Sequence, residues 1–162
     1  MAILPIRTLP DPVLRENAKR VTTVDKSIKK LIADMRETLY ADDTRAGLAA
    51  PQIGVSLRVI IIRQPDMEDV ILINPEIIRR KGKHVVNEAC LSVPGYMGSL
   101  PRAEAVTAKG IDIKGKEIRI KAEGFLAQAL QHEIDHLNGT LYIDRVENPD
   151  ELRKIQMGDT GR

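Results

Sequence analysis

The chain has 162 residues, of which 43 % are hydrophobic and 30 % charged, and a net charge of +2. Those values predict one soluble globular domain over residues 1–162, and so balanced a charge gives no argument for DNA binding. The single cysteine, Cys90, excludes an internal disulfide, as suits a reducing compartment. No apolar stretch approaches the roughly 20 residues that cross a bilayer, and the first residues do not read as a signal peptide. A cytoplasmic protein without a membrane partner is expected.

Pro5, Pro10 and Pro12 make the first segment extended or turned, because proline fixes φ and removes a donor. Ile28, Leu31, Ile32, Met35 and Leu39 then recur at helical spacing, which predicts a helix from Asp25, as N-cap, to about Tyr40. A polar loop, Ala41 to Ala46, leads into the small-residue run Gly47-Leu48-Ala49-Ala50-Pro51-Gln52. Strands are predicted at Val59–Ile62, Val70–Asn74, Glu104–Ala108 and Glu117–Ala122, with Pro75 at a strand end or edge. Gly110 and Gly115 flank a short strand or turn. Together these read as an antiparallel system.

A second helix is predicted from Gly124 to Asn138, with Gly139 as the residue past its end. Leu126, Leu130, Ile134 and Leu137 share one side, while Phe125 and Ala129 lie nearly opposite. A helix apolar on two sides is buried between layers. Asn148-Pro149 is expected to start a short C-terminal helix, followed by a frayed tail over 158–162.

The sharpest chemical signal lies on that second helix, in His132-Glu133-Ile134-Asp135-His136. Residues four apart on a helix share one face, so both imidazoles can reach one divalent ion about 2.0–2.1 Å away. Glu133 sits roughly 100° around the helix from His132, where a base can serve a water at the ion. The bland alternative is an amphipathic helix with two incidental histidines, and it fits poorly. Only three histidines occur in the chain, and unligated ones on a buried helix carry a desolvation cost. The third ligand stays open on these grounds. Tyr142 occupies a position where one common arrangement has a third histidine, Glu147 and Glu151 lie downstream, and Cys90 is a soft donor suited to Zn or Fe.

Three segments together carry a family resemblance: Gly47-Leu48-Ala49-Ala50-Pro51-Gln52, Glu88-Ala89-Cys90-Leu91-Ser92, and Gln131-His132-Glu133-Ile134-Asp135-His136. In this order, about 35 to 40 residues apart, the pattern resembles the peptide deformylases from about Leu9 to Val146. The resemblance implies an α+β fold in which antiparallel β-sheets surround a central metal-binding helix. It implies a bacterial-type cytoplasmic hydrolase that removes the formyl group from N-terminal formyl-methionine of new polypeptides. Cys90, His132 and His136 would be the ligands of one divalent metal, Fe(II) physiologically, with Zn, Ni or Co able to replace it. Glu133 would be general base and then acid, and Gln52 with the backbone N–H of Leu91 would hold the oxyanion. Gly47 would let the chain pass close to the formyl group.

Val86, Phe125 and Ala129 are expected to line a pocket for the methionine side chain, with plain core as the alternative for Phe125 and Ala129, and Gln128 is expected at the pocket mouth or on the peptide backbone. Glu88 and Arg102 are candidates to orient the ligands. Two positions depart from the family pattern, which has glycine where this chain has Arg45 and Ala89. Arg45 is expected to affect the pocket rim; Ala89 matters only if it needs positive φ. The basic run Arg79, Arg80, Lys81 and Lys83 reads as a solvated turn, with ribosomal RNA as its candidate partner. A monomer is expected. A zinc peptidase and a non-catalytic binding homologue are the competing readings.

Overall fold

The computed structural model describes residues 2–148, 150 and 152–154. Helix α1 (Lys26–Tyr40) begins where Asp25 caps it, accepting a hydrogen bond from the Ile28 N–H at 3.1 Å. It has no basic residue in its last turn. Its final carbonyls are served from outside, by Arg45 Nη1 on Thr38 O (2.5 Å) and Arg63 Nη2 on Leu39 O (3.2 Å). A cation at a helix C-terminus also interacts favourably with the helix dipole.

Strands β1 (Gly47–Ala49), β2 (Val59–Ile62), β3 (Val70–Lys81), β6 (Ala105–Ile111) and β7 (Glu117–Glu123) form one sheet in the order β1-β2-β3-β6-β7. Every pairing in it is antiparallel. Strand β2 is buried along its whole length because helices cover both faces. Ile60 and Ile62 pack with Leu130, Ile134 and Leu137, while Val59 and Ile61 pack with Ile32, Met35 and Leu39 of α1. Each such aliphatic burial contributes about 1.5–3 kcal/mol, which is how a core with little aromatic content is held.

Strand β3 runs past the expected end at Asn74. Pro75 sits at a register irregularity between Ile73 and Glu76 rather than at a strand terminus. Asn74 absorbs the kink at φ +52°. Its side chain accepts from Val21 N–H and donates to Val21 O, both at 2.8 Å. A proline that cannot donate to the ladder is tolerated at such a bulge.

A second sheet, β4-β5-β8, was not legible as strands. It comprises β4 (His84–Cys90), β5 (Val93–Arg102) and β8 (Leu152–Lys154). Strand β5 contains Pro94, Gly95, Gly98 and Pro101, residues that ordinarily punctuate strands. The expected C-terminal helix is corrected at Leu152–Lys154, which pairs antiparallel with Tyr96–Gly98; an open strand edge offers backbone partners there. Pro149 and the tail 158–162 lie outside the described residues.

Helix α2 (Gly124–Leu137) is buried at every position from Ala127 to Leu137, as its two apolar sides predict. It packs on the first sheet through Ala127, Leu130 and Ile134. It is tied to the second by Gln128 Nε2 on Asn87 O (3.2 Å) and by His132 Nδ1 on Glu88. Gly139 follows it at φ +72°, and a Cβ there would stand 2.6 Å from Arg15 O. No helix among the described residues is long and apolar enough to cross a membrane.

Candidate metal centre

Three elements bring the site together. Helix α2 supplies His132 and His136 one turn apart, with ring centroids separated by 5.1 Å. Cys90 ends β4 and pairs with Val93, so Leu91 and Ser92 form the tight turn into β5. The short 3-10 turn Ala50–Ile53 carries Gln52. The extended N-terminal segment fastens the two turns, through Arg7 N–H on Gln52 O (2.7 Å) and Leu9 N–H on Ser92 O (2.9 Å).

The Cys90 sulfur lies 3.4 Å from His136 Nε2. One ligand atom from each of Cys90, His132 and His136 falls within 4.8 Å of the others, and all three residues are buried. His132 Nδ1 is 2.7 Å from Glu88 Oε1, so it serves as the donor, and in the neutral ring that a metal binds Nε2 keeps its lone pair. That Nε2 is buried without a hydrogen-bond partner among the described residues. A buried acceptor without a partner costs about 1–3 kcal/mol, and a metal ion in the common reach of all three donors would remove that cost. The donor set therefore fits a metal.

Electrostatics agree. Burial alone would lower the pKa of His132, but the neighbouring Cys90 sulfur and Glu88, with the field of Glu133, outweigh it and raise it to about 10. Burial, with the positive fields of His132 and Arg102, holds His136 well below the ordinary value. The pocket attracts positive charge and keeps one imidazole neutral. Burial also works against ionisation of Glu88, yet hydrogen bonds from Arg102 and His132 hold its carboxyl far below the usual range.

Arg102 is the hub behind the ligands. Its Nε and Nη2 donate to the two Glu88 oxygens, each at 2.8 Å, and its Nη1 donates to Asp135 at 2.7 Å. The orienting role expected of Glu88 and Arg102 thus has its geometry. Asp135 and Arg145 were missed. Asp135 sits inside the histidine motif, three residues after His132, and that spacing was the available signal.

Gln52 is turned by its surroundings. Its Oε1 accepts from Ala49 N–H at 3.0 Å, which leaves Nε2 facing Ser92 Oγ at 3.2 Å and Cys90 Sγ at 3.7 Å. Gly47 lies against Glu133: a Cβ there would stand 2.7 Å from Glu133 Oε2. Val86 is half-buried, Phe125 is 44 % exposed, and Ala129 is buried in the core beneath the sheet. Ala89 does not have positive φ, so alanine fits without strain. Arg45 is half-buried and committed to the end of α1.

Two imidazoles and one sulfur around a single point, with a buried carboxylate on the same helix, make this a metal-dependent hydrolase centre. The likeness to known proteins is narrower than that class. Residues 3–151 match the polypeptide deformylase family, and the chain belongs to it. A peptide deformylase of Dehalococcoides mccartyi is 55 % identical over 98 % of this chain and 95 % of its own. One from Halothermothrix orenii is 54 % identical over 90 % and 95 %. The crystal structure of a peptide deformylase from Legionella pneumophila superposes with a TM-score of 0.87 at 47 % identity, covering 93 % of this chain and 89 % of that one.

Proposed function

We propose that this chain, as one catalytic domain, removes the formyl group from the N-terminal formyl-methionine of newly made polypeptides, releasing formate and a free amine. The observation that carries this reading is the convergence of Cys90, His132 and His136 within 4.8 Å, with the Gln52 amide turned toward the same sulfur. A divalent ion held by those three residues would supply Lewis acidity and make hydroxide available near neutral pH.

Glu133 accepts the proton of the attacking water and then delivers it to the departing nitrogen. Gln52 Nε2 and the Leu91 N–H donate to the oxyanion as it forms. Replacing Gln52 with leucine is expected to lower kcat by about 10²- to 10³-fold, the range for one lost oxyanion donor, with metal content unchanged. A steady-state comparison that finds kcat intact would remove Gln52 from this role.

In this reading Val86, Phe125 and Ala129 line the pocket of the first side chain, and Gly47 lies beside the formyl group. Strand β1 is the outer strand of one sheet and β4 of the other. An extended substrate can add along such edges by backbone hydrogen bonds that tolerate any sequence. Formate release from a formyl-Met peptide, measured beside an acetyl-Met peptide and one offering only an internal amide, tests the assignment. Release from the first alone is expected. Cleavage of the internal amide would favour a peptidase, and inactivity of the freshly loaded protein would favour a binding-only homologue.

For the ion we favour Fe(II), with Zn, Ni or Co as substitutes, because a sulfur and two imidazoles suit each of them. Protein purified without oxygen is then expected to carry iron; zinc as the native ion at full activity would contradict this. The enzyme acts as a cytoplasmic monomer in this reading. The exposed run Arg79, Arg80, Lys81 and Lys83 is assigned a contact with ribosomal RNA. Salt-sensitive ribosome binding should weaken on charge reversal of the run, and equal binding would remove that contact.

A further inference from the structure

The ion-pair chain behind His132 does not stop at Arg102. Asp135 accepts Arg102 Nη1 on Oδ2 at 2.7 Å, and it also takes two bonds from Arg145, Nε on Oδ2 at 2.6 Å and Nη2 on Oδ1 at 2.8 Å. The row His132–Glu88–Arg102–Asp135–Arg145 therefore runs unbroken from a buried imidazole to the surface. Side-chain exposure along it rises from 1 % at His132 and 0 % at Glu88 to 12 % at Asp135 and 44 % at Arg145. Arg145 opens into a cleft of about 440 Å³ that Arg80 and Lys83 also line.

Charge explains why the last member matters. Glu88 and Asp135 are matched one for one by Arg102 and Arg145, so the two carboxylates and two guanidiniums of the row balance. Arg102 is shared: two of its bonds go to Glu88 and one to Asp135. Without Arg145, Asp135 becomes an under-compensated buried carboxylate and competes with Glu88 for Arg102. Glu88 Oε1 receives both Arg102 Nη2 and His132 Nδ1, so a shift of Arg102 moves the atom that aims the imidazole.

We propose that Asp135 and Arg145 are positioning residues for His132, acting through Arg102 and Glu88 to hold its Nε2 on the metal. The proposal rests on the metal reading above, and its test separates the two.

Cobalt(II)-loaded protein is mixed with excess EDTA, and cobalt release and the visible d–d bands are followed for wild type, Arg145→Met, Arg145→Lys and Asp135→Asn. Arg145→Met and Asp135→Asn are expected to release cobalt about tenfold faster or more, the range seen when the partner of a metal-bound histidine is lost, with shifted bands. Arg145→Lys, which keeps the charge, falls between. Lys109→Met is the control. It breaks a comparably exposed pair, Lys109 with Glu117 at 3.1 Å, on strands β6 and β7 away from the row. It should leave release unchanged. Release at the wild-type rate from both Arg145→Met and Asp135→Asn would overturn the proposal, as would equal acceleration by Lys109→Met. A wild-type protein that takes up no stoichiometric cobalt would sink the metal reading itself.

Discussion

Replacing Glu133 with glutamine is expected to lower kcat by about 10²- to 10⁴-fold, the contribution of a positioned proton carrier, and to leave the metal bound. Glutamine keeps the volume and the hydrogen-bonding length of glutamate but cannot take up a proton at neutral pH. Glu133 is buried to 1 % exposure on a helix packed along its whole inner length, so an isosteric change disturbs little else. It is also not one of the three converging donors, so metal content should stay at the wild-type level. A glutamine variant retaining kcat within tenfold would remove Glu133 as proton carrier. A variant that lost its metal would make Glu133 a ligand instead.

The second large effect is expected from Gly47→Ala. A methyl group there would stand 2.7 Å from Glu133 Oε2, 3.2 Å from its carboxyl carbon and 3.3 Å from Cγ. Strand β1 cannot readily retreat, because Gly47 is paired with Ile62 and every residue of this edge strand is buried. The glutamate side chain must therefore move, and misplacing a reacting group by about 1 Å can cost on the order of 100-fold. Overpacking should add about 1–3 kcal/mol of destabilisation. The expected signature is a fall in kcat with KM little changed. If Gly47 only makes room for the formyl group, KM should rise and kcat should hold.

Much of this site was legible in the sequence because its chemistry is local. The two histidines and Glu133 sit within five residues on a helix with strong periodicity, and Cys90 and Gln52 lie in short distinctive segments. The α+β fold with its central helix followed from those segments. Strands β4 and β5 were less legible, since Pro94, Gly95, Gly98 and Pro101 interrupt any alternation; their pairing comes from partners far away in sequence. Leu152–Lys154 forms a strand only because β5 leaves an edge for it. Arg145 could not be read as part of the site, because its connection passes through three other charged residues that meet only in the folded chain. Arg45 shows the reverse. It stood out as a departure at the rim, and the fold gives it a task at the end of α1.

The most direct measurement is X-ray absorption at the metal edge of the loaded protein, recorded anaerobically. One sulfur at about 2.3 Å and two imidazole nitrogens at about 2.0–2.1 Å, the values for a zinc-like site, are expected from one ion per chain. Loss of the sulfur contribution in Cys90→Ala would assign it. A shell of nitrogen and oxygen alone in the wild-type protein would contradict a centre built from Cys90, His132 and His136.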